Sequence, residues 1–276
     1  MLYPPSGPGK GTRYGANSYG IGDLSLFSQC YLLKPKEHPF GNLAVGVGMK
    51  IPTGNWDVRA NLPNLAGFDY TRRAVYPAAI MPGDGGTGII LGVNGYKNFR
   101  KSFLRGNTVF GSVSYLSNPA NTNGTQSIVS SEGVPLAPQF LTELTNSVTD
   151  SYNAQVGASI KIPRTWDKPV LAGLRARVTF NIEGIPDRDL IGRSDGYRQP
   201  GYILAVAPGF TYAYKRTLFI AEVPLVFSRY INPRKSAIPD LIVNPGGSLG
   251  VAPFDPNNNL GMVPKAVVSL RCVQTF

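Results

Sequence analysis

The stretch from Lys265 to Phe276 reads K-A-V-V-S-L-R-C-V-Q-T-F. Every second residue back from Phe276 gives Gln274, Cys272, Leu270, Val268 and Ala266, a mostly apolar face. The intervening Thr275, Val273, Arg271, Ser269, Val267 and Lys265 make a mixed, partly charged face. Alternation sustained over about ten residues is the period of a β-strand with one oily side and one wetter side. A strand of this kind can close a soluble sandwich or a barrel, and the rest of the chain decides between them.

The same alternation recurs along the sequence. It is cleanest over residues 42–51, where Leu43, Val45, Val47, Met49 and Ile51 oppose Asn42, Ala44, Gly46, Gly48 and Lys50. Glycine weakens a strand, so Gly46 and Gly48 either leave room on the inner face or accept a bulky neighbour such as Phe27 or Tyr31. Residues 21–33, 88–99, 107–117, 151–162, 174–183, 201–214 and 219–227 repeat the pattern, which with the closing strand predicts nine strands. Their connections alternate between short turns and long segments. The long ones, 52–87, 118–150, 184–200 and 231–264, carry no regular period beyond a possible helical turn at 142–144. Segregated loop lengths are a property of transmembrane barrels and not of sandwiches. Tyr152, Tyr202, Tyr212 and Phe276 stand near strand ends on the oily faces, the positions of an interfacial aromatic girdle. The expected fold is therefore all-β, a single antiparallel transmembrane β-barrel domain over residues 1–276, with residues 1–20 loop-like.

Composition narrows the function classes. Only 16% of the 276 residues are charged, aromatics make up 11%, and no apolar run reaches the length of a membrane helix. The net charge of +11 is dispersed as single bases, mostly in loops, which excludes a nucleic-acid surface. Cys30 and Cys272 are far apart and lack metal-ligand spacing, so no metal site or cofactor is expected from them. The single histidine, His38, lies in a short charged turn, away from any nucleophile it could activate, so no catalytic residues are assigned. Asp187, Asp189 and Asp195 could in principle hold calcium. Their interleaving with Arg188, Arg193 and Arg198 points instead to ion pairs.

The end of the chain resembles the closing strand of bacterial outer-membrane barrels, whose terminal aromatic residue, here Phe276, is read by the barrel assembly machinery. Gly20-Ile-Gly-Asp-Leu24, Asn42-Leu-Ala-Val-Gly-Val-Gly-Met-Lys-Ile-Pro-Thr-Gly54, Pro82-Gly-Asp-Gly-Gly-Thr-Gly-Ile-Ile90 and Asp187-Arg-Asp-Leu-Ile-Gly-Arg-Ser-Asp-Gly-Tyr197 resemble the outer-membrane transporter family labelled "MetA-pathway of phenol degradation". The resemblance implies a bacterial outer-membrane location, a barrel of about twelve strands and passage of small hydrophobic or aromatic compounds. It brings no agreed set of binding residues. Strand parity points the same way: the first and last strands both run toward the short-turn side and cannot pair antiparallel. At least one upstream strand is therefore expected, with Met1 an internal or truncated start; this would account for the lack of a signal peptide.

If the oily faces meet lipid, then Lys50, Lys161, Arg175, Arg177 and Arg271 point inward, opposed by Asp23, Glu183 and Glu222, with Tyr31 and Tyr96 as aromatic surfaces. This predicts a mildly anion-favouring lumen, in which Arg175 and Arg177 changed to Glu would reverse selectivity. A structural ladder of inward ion pairs is the competing expectation. The function expected is a passive channel for small solutes, with lipid, the assembly machinery and the solute as partners. A non-conducting barrel with a structural or surface-binding role is the alternative.

Overall fold

A strand pairs through its backbone and sorts its side chains to two faces, so the long alternating runs make one sheet with two different surfaces. The computed structural model describes residues 18–63, 71–75, 81–101, 104–127, 138–162, 172–232 and 269–274. Its strands are β1 (Leu24–Tyr31), β2 (Gly41–Ile51), β3 (Arg59–Pro63), β4 (Thr71–Val75), β5 (Gly88–Asn98), β6 (Thr108–Ser117), β7 (Thr122–Gln126), β8 (Thr145–Ser147), β9 (Ser151–Lys161), β10 (Leu174–Ile185), β11 (Gly201–Tyr214), β12 (Thr217–Glu222), β13 (Leu225–Ile231) and β14 (Ser269–Gln274). The main sheet runs β1-β2-β5-β6-β9-β10-β11-β12-β14, antiparallel throughout, and curls into half of a barrel.

β12 and β13 are one strand with a gap. Gly209 pairs with Glu222 and Val206 with Leu225, three residues back on β11 and three residues on along its partner, so the register is unbroken across the gap. Pro208 and Pro224 sit there without N–H groups, and Val223 N donates to Pro208 O at 3.0 Å. The sheet thus has the nine strands read from the alternation. Its edge strands β1 and β14 run in the same direction, and among the described residues they do not pair.

One expectation needs correction. The segments 52–87 and 118–150 are not wholly irregular: β3 pairs with β4, and β7 pairs with β8 after a 3-10 helix over Pro138–Leu144. Of the two readings left open at Gly46 and Gly48, the structure shows the bulky neighbour. The Phe27 ring lies across both and across Gly92, where an added Cβ would stand 2.8 Å from its Cζ. Phe110 covers Gly157 in the same way. These glycines let aromatic rings lie flat on the backbone.

Burial identifies the face enclosed by the curl. Along β2, Asn42, Ala44 and Lys50 are buried while Leu43, Val45, Val47 and Met49 are exposed. The same holds on β11, where Ala205, Ala207 and Thr211 are buried and Phe210 is 56% exposed. The enclosed face is polar or small and the outer face apolar, the reverse of an ordinary core.

Aromatic side chains bound the outer belt. Tyr115, Tyr152, Tyr202 and Tyr230 fall in one cross-strand row, continued through Gly184, with the Tyr202 and Tyr230 rings 5.5 Å apart. Toward the short turns, Tyr212 stacks on Tyr214 and on Phe219 at 6.4 and 6.5 Å. Tyr202 and Tyr212 are separated by roughly 33 Å of strand. At the ~40° strand tilt common in β-barrels, that length would correspond to a belt roughly 25 Å tall.

Candidate functional site

The enclosed face divides into three levels. Nearest the short turns, the register brings Arg177 on β10 and Glu222 on β12 to opposite sides of Gly209 on β11. The missing glycine side chain leaves the space in which they meet, with Arg177 Nε 2.7 Å from Glu222 Oε1. Thr179 Oγ1 donates to the same oxygen at 2.6 Å, and Arg271 Nη2 donates to Oε2. The other face of the Arg177 guanidinium picture is aromatic: its Cζ stands 3.8 Å from the Phe110 ring centroid, a cation–π contact. Both partners of the Arg177–Glu222 pair are buried, their side chains 10% and 4% exposed, whereas that of Arg271 is 46% exposed. Arg175 donates to Gly106 O, and Lys161 pairs with it across the strands.

At mid-height the face is neutral and hydrogen-bonding. Asn94 Nδ2 donates to Gln29 Oε1 at 2.6 Å and Gln155 Nε2 to Ser112 Oγ at 2.9 Å. Tyr31 and Tyr96 stand on this inner surface, in register with Ala44 and Asn42. Glu183 is exposed on the same side, in register with Asn153.

At the long-segment end, Lys50 is buried between carboxylates. Its Nζ is 3.6 Å from Asp23 Oδ2 and in contact with Asp84. Asp23 also accepts from Gly54 N, and Asp84 from Gly86 N, so this cluster ties the segments on either side of β3–β4 to the sheet. Asn123 Nδ2 donates to Asp84 O and carries the connection onward to β7.

The long segments interlock there. Val148 is wholly buried there and Tyr197 is 7% exposed. Ser147 N donates to Tyr197 O and Tyr197 N to Thr145 O, while Asn121 and Asp195 exchange two hydrogen bonds. Asp150 accepts from Tyr115 Oη, Asn118 N and Leu190 N, and its own N–H donates to Asp189. Asp189 pairs with Arg198, their side chains 0% and 3% exposed. The acidic residues of this segment are therefore used separately: Asp189 by Arg198, Asp195 by Asn121 and Asp187 by Asn232. No group of metal-ligating side chains occurs among the described residues.

The strand-borne charges expected to point inward share the parity of the buried residues, and several of them are already engaged. Arg177 and Glu222 hold each other, and Lys50 is a clamp. Phe276 lies outside the described residues. The sequence reading missed Asp84, Phe110 and Thr179. Phe110 had a signal, an aromatic residue on the same strand face as Ser112 and Ser114, opposite Gly157. Asp84 had none, since its partner Lys50 lies 34 residues away. A groove of about 650 Å³ lies outside the enclosed face, between apolar rows that include Val113, Val156 and Phe180, where Gly95, Gly111 and Ala154 thin the wall. No family model matches the chain, and no curated protein matches it.

Proposed function

We propose that this chain forms the wall of a β-barrel in the bacterial outer membrane and acts as a passive channel for small solutes, hydrophobic or aromatic compounds among them. The observation that carries the reading is the belt on the outer face. More than twenty large apolar side chains, the border rings Tyr214, Phe219 and Tyr230 included, are exposed on the outer face of the main sheet. Each Å² of such surface left in water costs roughly 25 cal/mol, and a contiguous patch of this extent marks a surface that another apolar phase covers. A hydrocarbon layer suits both its height and its tyrosine borders. A sandwich would need a second sheet on that face, whereas the other sheets of the described residues are two-stranded hairpins. The polar enclosed face would then line the conduit. Lipid, the assembly machinery that reads Phe276 and the permeating solute are the partners this role requires. It involves no catalytic step.

A second reading is a non-conducting barrel with a structural or surface-binding role. The interlocked segments around Val148 and Tyr197 favour it, because they make a folded cap of the end where a channel would have its mouth. Purified protein reconstituted in planar lipid separates the two. Discrete conductance steps support the channel. Stable insertion with a silent bilayer supports the second reading, and failure to insert defeats both.

A further inference from the structure

We propose that the strip Phe110–Arg177–Glu222–Arg271 is an internal anion subsite, taking the carboxylate of a small monovalent solute on the Arg271 guanidinium; this rests on the channel reading. Among the described residues, the turn-end level of the enclosed face carries Lys161, Arg175, Arg177 and Arg271 with one carboxylate, that of Glu222. The members of the strip differ in what they can still bind. Glu222 is 3% exposed, and its oxygens are taken by Thr179, Arg177 and Arg271. Arg177 is fixed between that carboxylate and the Phe110 ring, so it serves as a positioning residue. Arg271 is different. Its side chain is 46% exposed, and Glu222 engages it through Nη2.

A guanidinium presents five donors in a planar fork, so one hydrogen bond to Glu222 anchors it without exhausting it. The anchored fork suits a carboxylate, which accepts two parallel hydrogen bonds from such a group. Charge selects the valence. Two guanidiniums and one carboxylate leave a surplus of one positive charge, which a monovalent anion neutralises and a dianion overcompensates. The buried Arg177–Glu222 pair keeps this surplus at one fixed height on the wall, and on an enclosed surface water screens it less than it would in bulk.

The test is the current through wild type, Arg271→Gln and Arg271→Lys in planar lipid. Reversal potentials are read in a sodium chloride gradient, then with sodium benzoate or sodium acetate added. The expected wild-type result is a preference for anions, with chloride current reduced by either carboxylate in a saturable way. Arg271→Gln shifts the reversal potential toward the cation side and abolishes that reduction. Arg271→Lys keeps the anion preference but loses most of the carboxylate effect, because an ammonium lacks the fork. If Arg271→Gln conducts with wild-type reversal potential and wild-type sensitivity to both carboxylates, the subsite is overturned and the strip is a structural ladder only. No current from wild type overturns the channel reading and the subsite together.

Discussion

Lys50, one residue from the end of β2, holds its ammonium between Asp23 and Asp84, and its side chain is 7% exposed. Removing a buried charge leaves its partners uncompensated, which costs more than the pair contributed. Lys50→Met should therefore lower stability by about 3 kcal/mol, read as a shift of the denaturant midpoint; an unchanged midpoint would show that the carboxylates are solvated without it. The inward direction of Lys50 was legible, since its face follows from strand parity. Its partner was not, because Asp84 is brought to it by the fold and not by spacing. Phe27 teaches the same lesson. The glycines opposite it were visible in sequence, but which ring would occupy them depended on the β1–β2 register. Gly92→Ala should clash with that ring and destabilise the sheet, and adding Phe27→Ala should recover much of the loss. Strictly additive effects of the two changes would contradict this packing.

The alternating strands could be read to within a residue or two at most boundaries because a period of two leaves little freedom: shifting one residue turns the oily face inward. The long segments have no comparable periodicity, and β3, β4, β7 and β8 are short strands whose pairing depends on distant contacts. Their cap is tied by the Asp189–Arg198 pair. Breaking that pair on one side should be harsher than replacing both sides. Arg198→Met alone should open the cap to limited proteolysis, while Asp189→Leu combined with Arg198→Met should restore protection. If the double variant is cleaved as fast as the single one, the pair has a role beyond mutual neutralisation, such as the bond from Asp150 N to Asp189. The proline gap between β12 and β13 belongs to this scale too. Across the gap Val223 N is held by Pro208 O alone, so its hydrogen exchange should be faster than that of Ile220 and Ala221, which pair with β11 on one side and β14 on the other.

For the molecule as a whole, the opposite ends of the enclosed face carry opposite surpluses. The Lys50 cluster holds two carboxylates to one ammonium, and the Glu222 cluster holds two guanidiniums to one carboxylate. An axial field of this kind should make current through the proposed channel depend on the sign of the applied voltage. Exchanging Arg175 and Arg177 for Glu, which the sequence pattern alone would recommend, is a poor test of it. The change would set a new carboxylate at Arg177 against the buried Glu222 and disrupt the wall. The aromatic rows have a different consequence. In the proposed membrane barrel, two rings ten residues apart on one strand would act as a ruler, because a bilayer must match their spacing or pay for hydrophobic mismatch. A belt roughly 25 Å tall is short against the ~30 Å hydrocarbon core of an average bilayer and suits a thinner one. Spontaneous insertion into vesicles should therefore fall steadily as acyl chains lengthen, and shortening the ruler by Tyr212→Ala should move the optimum toward still thinner membranes.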